Sequence, residues 1–315
     1  MSITPETLVA AAGVQTYLEN TAFASHTVDL LSGGFTNFAY RIHLHTPIDG
    51  RSTFVLKYAP PYVASSILGG PARTPHSLER QKFEAEAFRL SHQFSIQSDE
   101  VTVEVPTLRL YDEEIHVLII DDAGIGSRTL KEVLINETLP IALLEEVGIA
   151  LGLFLGHLHG SHERRDVDLS LFAKNEVEKE ISARVTYSRI VSTLTGKHEY
   201  PALSNPLLDI PSEKLATFSK LKETRSREIW SSTAADAMTH GDFWPGNVVV
   251  CLRRGTDGKV EALKKLCVLD WEVAKTGLPG LDLGQFCAEL YLISRFHPHR
   301  KESATAVMTS LLSAW

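Results

Sequence analysis

The chain has 315 residues, enough for about two domains and a sizeable apolar core. Lys and Arg number 31 against 39 Asp and Glu, a net charge of −8, which excludes the basic stripe of a nucleic-acid binder. No basic-then-apolar leader opens the sequence and no apolar run is long enough to cross a bilayer, so a cytoplasmic protein without a membrane partner is expected.

Thr4-Pro5-Glu6 reads as a helix start, followed by a packing stripe of Leu8, Ala11, Val14 and Leu18. Next comes a small turn, Gly33-Gly34-Phe35-Thr36-Asn37, and then strict alternation of Phe38, Tyr40, Ile42 and Leu44. Glycines between strands let backbone amides approach phosphate oxygens closely, but they are also what an ordinary hairpin turn uses. The spacing predicts a turn over Thr46-Pro47-Ile48-Asp49-Gly50 and a strand over Phe54–Tyr58. Lys57 sits within that strand among apolar neighbours. Such an ammonium either has a partner or lies on an edge strand. Pro60 to Pro75 is a long loop, suited to a lid, and Ser77 to Phe88 is helical with several acids.

Val101 to Tyr111 and Ile115 to Ile120 are predicted as two further strands, joined by Asp112-Glu113-Glu114 and ending in the polar break Asp121-Asp122-Ala123-Gly124. Leu139 to His159 has the wide apolar stripe of a central core helix. His157, His159 and His162 are read as structural or surface groups, because no charged partner is near them in sequence. From Glu163 to Asp236 the chain is helical and more polar.

The chemistry concentrates between Met238 and Trp271. His240-Gly241-Asp242 runs to Pro245-Gly246-Asn247 in a turn-rich segment. Two apolar runs follow, Val248–Leu252 and Leu266–Leu269, joined by a Gly255…Asp257-Gly258 turn, the signal of a hairpin. A hairpin sets its start beside its finish, so Asn247 and Asp270 should face one spot with Asp242 near. An amide oxygen and a carboxylate converging there suit Mg²⁺, and the separate carboxylate can accept a proton from an attacking hydroxyl. Cys251, Cys267 and Cys287 show neither disulfide nor zinc spacing and are expected as free thiols.

His240-Gly241-Asp242…Asn247 followed by Val268-Leu269-Asp270-Trp271-Glu272 resembles the aminoglycoside phosphotransferase and choline kinase-like family. The resemblance implies an α+β, two-lobed protein kinase-like fold. Its N-terminal nucleotide-binding lobe, residues 1–121, would be a five-stranded antiparallel sheet with a helix, and a mostly helical lobe, 122–315, would carry the catalytic hairpin. It implies an ATP-dependent kinase of a small-molecule hydroxyl, with ATP and Mg²⁺ as cofactors, Asp242 as base, and Asn247 and Asp270 on the metal. Gly33, Gly34, Thr36 and Asn37 match the family's nucleotide loop, and Lys57 its phosphate-holding lysine. Glu84 fits the spacing of the glutamate that steadies this lysine; Glu86 is the alternative, about 200° away round the helix. Asp121 and Asp122 stand at the adenine-gripping hinge, and Asp282 matches a structural position. The absence of Asp-Phe-Gly and Ala-Pro-Glu, with Gly241 where His-Arg-Asp has arginine, argues against a protein kinase. A nucleotide-binding pseudokinase or scaffold is the rival, opposed by the presence of the main catalytic residues. The last stretch, Ser303 to Trp315, has helical apolar spacing. Either this helix folds back onto the large lobe or its apolar face stays partly exposed. Because the chain looks cut short against the family pattern, the second is favoured, which would make the face a surface for self-association or an aggregation risk.

Overall fold

The computed structural model describes residues 5–31, 36–64, 75–90, 93–97, 101–197 and 207–315. After α1 (Ala11–Leu18) come β1 (Ser25–Leu30), β2 (Phe38–Ile48), β3 (Arg51–Tyr58) and α2 (Arg80–Leu90). Two short strands, β4 (Ile96–Gln97) and β5 (Thr102–Glu104), precede β6 (Leu108–Asp112) and β7 (Val117–Asp121). The first sheet has five antiparallel strands in the order β1-β2-β3-β7-β6, which puts β3 in its centre. Period-two alternation buries Tyr40, Ile42 and Leu44 on one face, against Leu8, Val14 and Leu18 of the N-terminal segment. The Tyr40 hydroxyl donates to the Leu8 carbonyl at 3.0 Å, which ties that segment to the sheet.

Two expectations need correction here. The β2–β3 connection is a two-residue turn, Asp49-Gly50, with φ of 50° and 75°, the pairing that matches strand twist best. Strand β2 therefore runs on through Pro47, which the ladder accommodates where its register shifts between His43 and Ile48. Val101 to Tyr111 is also not one strand. Pro106 has no N–H to give a ladder, and the chain breaks around it. The first half, β5, leaves for a second sheet.

That second sheet is built on the hairpin. It contains β8 (Arg128–Thr129), β10 (Val248–Arg254) and β11 (Val260–Val268), in the order β4-β5-β11-β10-β8, with β9 (Met238–Thr239) lying outside it. Strand β5 pairs parallel to β11, Leu266 opposite Val103. The β10–β11 connection closes with Gly255 N–H on the Lys259 carbonyl at 2.9 Å, and Gly258 has a φ of 78°.

By contacts the chain divides into two units. The first holds both sheets, with Met1–His157, Asp242–Glu272 and Gln285–Trp315; the second is Leu158–Gly241 with Val273–Gly284. The second unit holds α5 (Glu176–Ser182), α6 (Ile190–Leu194) and α7 (Ser212–Trp230), plus the small ladder of β9 with β12 (Lys275–Thr276).

In the first unit α3 (Leu130–Asn136) is closed by a capping box, Thr129 with Glu132. Helix α4 (Ile141–His159) buries Leu143, Leu144, Val147, Leu151, Phe154 and Leu155. The segment Ile141–Glu163 has the length and hydropathy of a bilayer-crossing helix, but 56% of its apolar window is buried inside the protein. The chain continues through α8 (Gly280–Phe296) to α9 (Lys301–Ala314). The C-terminal helix buries Ala304, Val307 and Leu311, while Leu312 and Trp315 remain about half exposed. The reason for the burial is a row of small residues on α4, where Gly148 and Gly152 let the α9 backbone approach closely. A Cβ at Gly148 would lie 2.5 Å from the Val307 carbonyl, and one at Gly152 2.4 Å from that of Leu311. Gly152→Val should therefore cost about 1–3 kcal/mol through overpacking, read as a lower urea midpoint with an unchanged slope.

Candidate active site

The two ends of the hairpin meet as its register requires. Val248 pairs with Val268, and Leu269 N–H donates to the Asn247 carbonyl at 2.9 Å, so Asn247 enters β10 where the chain leaves β11 toward Asp270. Asp270 has a φ of 61°, in the left-handed region that a non-glycine residue adopts at a cost. Its side chain is about half exposed (49%), while Asn247 is buried.

Asp242 has both carboxylate oxygens engaged. Asn247 Nδ2 donates to its Oδ2 at 3.0 Å and to its backbone carbonyl at 2.9 Å, and Gln285 Nε2 donates to its Oδ1 at 2.5 Å. The amide of Asn247 thus spends its NH₂ on Asp242, which leaves Oδ1 as the atom for a cation. The loop between them is closely packed. Trp244 folds over Gly246, where a Cβ would fall 2.2 Å from the indole, and Lys131 Nζ lies 4.8 Å over the same ring. Phe243 is buried against Phe286 at 5.1 Å and Phe154 at 6.5 Å.

Lys57 lies on the central strand β3, which removes the edge-strand reading. Its Nζ donates to Glu84 Oε1 and to Asp270 Oδ1, each at 2.5 Å. Glu84 on α2 is the partner; Glu86 pairs instead with Arg89 on the helix surface, at 3.0 Å. Burial works against the charge on Lys57, but Asp270, Glu84 and Glu272 outweigh it and hold the ammonium well above its ordinary range.

Thr36 and Asn37 are turned toward a carboxylate that sequence reasoning left without a role. Glu272 accepts from Thr36 Oγ1 at 2.5 Å and from Asn37 Nδ2 at 2.6 Å. Arg80, fully buried, lies 3.4 Å from Glu272 and donates to Asn37 Oδ1 at 3.0 Å. One signal for Arg80 was present in the sequence. It stands four residues before Glu84, so α2 presents both on one face. Gly33 and Gly34 lie outside the described residues, as do residues 65–74 of the lid candidate.

Asp121 and Asp122 hold arginines. Asp121 takes Arg109 at 2.6 Å, and Asp122 takes Arg41 at 2.7 and 3.0 Å together with Gly124 N–H at 3.0 Å. Their carboxylates brace the end of β7.

In the second unit the stretch just before Asp242 is braced by Asp282. Its carboxylate accepts from His240 N–H and Gly241 N–H at 2.8 Å each and from His159 Nε2 at 3.0 Å. Gly241 has a φ of 82°, and a Cβ there would fall 2.4 Å from the Val273 carbonyl. The glycine in place of a kinase arginine is thus imposed by backbone conformation and space. Among the described residues the three cysteines are free.

A buried lysine shared by two carboxylates, beside a hairpin bearing Asn and Asp, is a set of parts for phosphoryl transfer. The chain belongs to the phosphotransferase enzyme family, which it matches over residues 27–298, and it is a small-molecule kinase. It is 30% identical over 273 residues to 4-hydroxytryptamine kinase of Psilocybe cubensis, covering 85% of this chain and 68% of that protein. Methylthioribose kinase of Bacillus mycoides (strain KBAB4) is 23% identical, covering 96% of this chain and 69% of that enzyme. Among solved structures, an aminoglycoside phosphotransferase in ternary complex with streptomycin and ATP aligns with a TM-score of 0.48 and 14% identity, over 95% of this chain and 86% of its own.

Proposed function

We propose that the protein transfers the γ-phosphate of ATP to a hydroxyl of a small molecule, with Asp242 as the base. The acceptor oxygen forms its bond to the γ-phosphorus as the bond to the β–γ bridging oxygen breaks; the hydroxyl proton passes to Asp242, and ADP leaves. The observation that carries the reading is the position of Lys57, within 2.5 Å of both Glu84 and Asp270. This joins a phosphate-holding cation to the hairpin that bears Asn247 and lies beside Asp242. Lys57 would grip the nucleotide phosphates, steadied by Glu84, and backbone groups around Asp121 and Asp122 would line the adenine edge.

Carboxylates outnumber cations in this cluster: Glu84, Asp270 and Glu272 face Lys57 and Arg80. A divalent cation fits that surplus. Asn247 Oδ1 and the half-exposed Asp270 carboxylate would hold Mg²⁺, which when bound neutralises charge on the β- and γ-phosphate oxygens. For the acceptor, the similarity to 4-hydroxytryptamine kinase puts small aromatic amines bearing a hydroxyl first, with thiosugars such as methylthioribose second.

The test is ADP release with Mg²⁺ and ATP over a panel containing 4-hydroxytryptamine, methylthioribose and an aminoglycoside. Acceptor-dependent ADP release is expected from a member of the first two classes; nucleotide binding with no turnover on any hydroxyl compound would favour a pseudokinase. Asp270→Ala should weaken nucleotide binding in Mg²⁺ by about tenfold or more, since a charge-assisted contact of 1.4 kcal/mol is already that factor. Equal affinity with unchanged Mg²⁺ dependence in calorimetry would remove Asp270 from the ligand set.

A further inference from the structure

Helix α8 contacts the catalytic motif residue by residue. Asp282, Gln285 and Phe286 stand at i, i+3 and i+4, so they share one helical face. Within the second unit Asp282 takes the N–H groups of His240 and Gly241. Within the first, Gln285 Nε2 reaches Asp242 Oδ1 at 2.5 Å, and Phe286 packs on Phe243 with ring centroids 5.1 Å apart. Four consecutive residues, 240 to 243, are thereby held by three side chains of one helix.

The Gln285 contact differs from the other two. Asp282 binds backbone and Phe286 binds a buried ring, so both serve the fold. Gln285 binds the carboxylate itself. A carboxylate turns freely about its Cβ–Cγ bond unless both oxygens are held, because this torsion has a broad, shallow profile. Asn247 holds Oδ2 at 3.0 Å, and Gln285 supplies the second point at Oδ1. Asn247 is also a candidate cation ligand, and its other contact is to the backbone of Asp242. Of these two donors, seen among the described residues, Gln285 is the one not also assigned to a cation. An amide also suits the task, since it donates without adding charge, where a lysine or arginine would neutralise the base.

We propose that Gln285 is a positioning residue for phosphoryl transfer, locking the plane of the Asp242 carboxylate so that a lone pair faces the acceptor hydroxyl. The inference rests on Asp242 being the base. Gln285 touches no reacting atom; it acts through Asp242.

The test compares Gln285→Leu, Gln285→Asn and Asp242→Ala, each alone, and Gln285→Leu combined with Asp242→Ala. Activity is read as acceptor-dependent and water-dependent release of ADP from Mg·ATP, with 4-hydroxytryptamine as the acceptor probe. Gln285→Leu should lower kcat about ten- to a hundredfold, the scale of a small misplacement of a reacting group. KM for ATP and the thermal midpoint should stay near wild type. Gln285→Asn should recover part of kcat, because the amide donor remains on a shorter arm. In the Asp242→Ala background the Leu substitution should have no further effect on residual turnover, since there is no carboxylate left to orient. A crystal structure of Gln285→Leu gives a readout that needs no acceptor, and a rotated Asp242 carboxylate is expected. Unchanged kcat in Gln285→Leu, or an Asp242 carboxylate in its wild-type orientation in that crystal, would overturn the inference while leaving Asp242 as base. An active Asp242→Ala enzyme would instead overturn the reading beneath it.

Discussion

If Asp242 is the base, as proposed, Asp242→Ala is expected to lower kcat for phosphoryl transfer by about 10²- to 10⁴-fold, the span that a positioned general base contributes. Affinity for an ATP analogue should stay within a few fold of wild type. The separation follows from the partners: Asp242 is held by Asn247 and Gln285, whereas Lys57 is held by Glu84 and Asp270. Removing the Asp242 carboxylate leaves the lysine and its two carboxylates in place, so the groups assigned to phosphate lose nothing direct. Asp242→Asn guards against a collapsed loop, because it keeps the shape and an acceptor oxygen while being unable to take a proton. Calorimetry with the analogue and steady-state ADP release check both halves. A variant that turns over at nearly the wild-type rate would remove Asp242 from the chemistry, and one that loses nucleotide binding would place it on the nucleotide instead.

Asp282→Ala is expected to cost about 3–5 kcal/mol of stability, the scale for removing one partner of a buried, hydrogen-bonded charge. The residue is fully buried, and its loss removes the carboxylate that accepts from the His240 and Gly241 N–H groups and from the His159 ring. The same group predicts a pH dependence. Burial alone would raise the pKa, but the hydrogen bond and charge of His159, the charge of His240 and the Gly241 N–H outweigh it and hold the carboxyl below its usual value. Its contribution is therefore present above the ordinary carboxylate pKa and is lost as pH falls through the lower folded value. Urea unfolding across acid pH should show wild type losing stability in that window and Asp282→Ala losing less. Parallel curves would show that Asp282 carries no linked proton.

The site is far more legible in the sequence than its support. Asp242, Asn247 and Asp270 could be placed together because a hairpin is local: the turn at Gly255 to Gly258 sets the register, and the register sets which ends meet. Residue pairs separated by 213 positions, as Lys57 and Asp270 are, have no such local rule. Lys57 announced only that it needed a partner, through its apolar neighbours. That it meets two, Glu84 on α2 and Asp270 just past the end of β11, is a pairing set by tertiary structure.

His159 shows the same limit from the other side. It was read as lacking a charged partner because none is near it in sequence; the fold supplies Asp282 from 123 positions away. Pro106 and Asp49-Gly50 are opposite cases, where backbone chemistry was written in the residues. An imino acid breaks a ladder, and two residues at positive φ close a hairpin, so those corrections were in principle readable.

By itself the sequence determined the chemistry-bearing residues, the hairpin that delivers two of them, and the α+β class, because those depend on residue type and short-range periodicity. Only the tertiary structure decided which glutamate meets Lys57, that Glu272 and Arg80 hold Thr36 and Asn37, and that Gln285 holds Asp242. It also decided that α9 lies on α4. Each of these is a pairing between side chains distant in sequence, set by how helices and sheets pack. In the last case the decisive feature was the absence of side chains: Gly148 and Gly152 made room for a backbone that amphipathic spacing alone left uncovered.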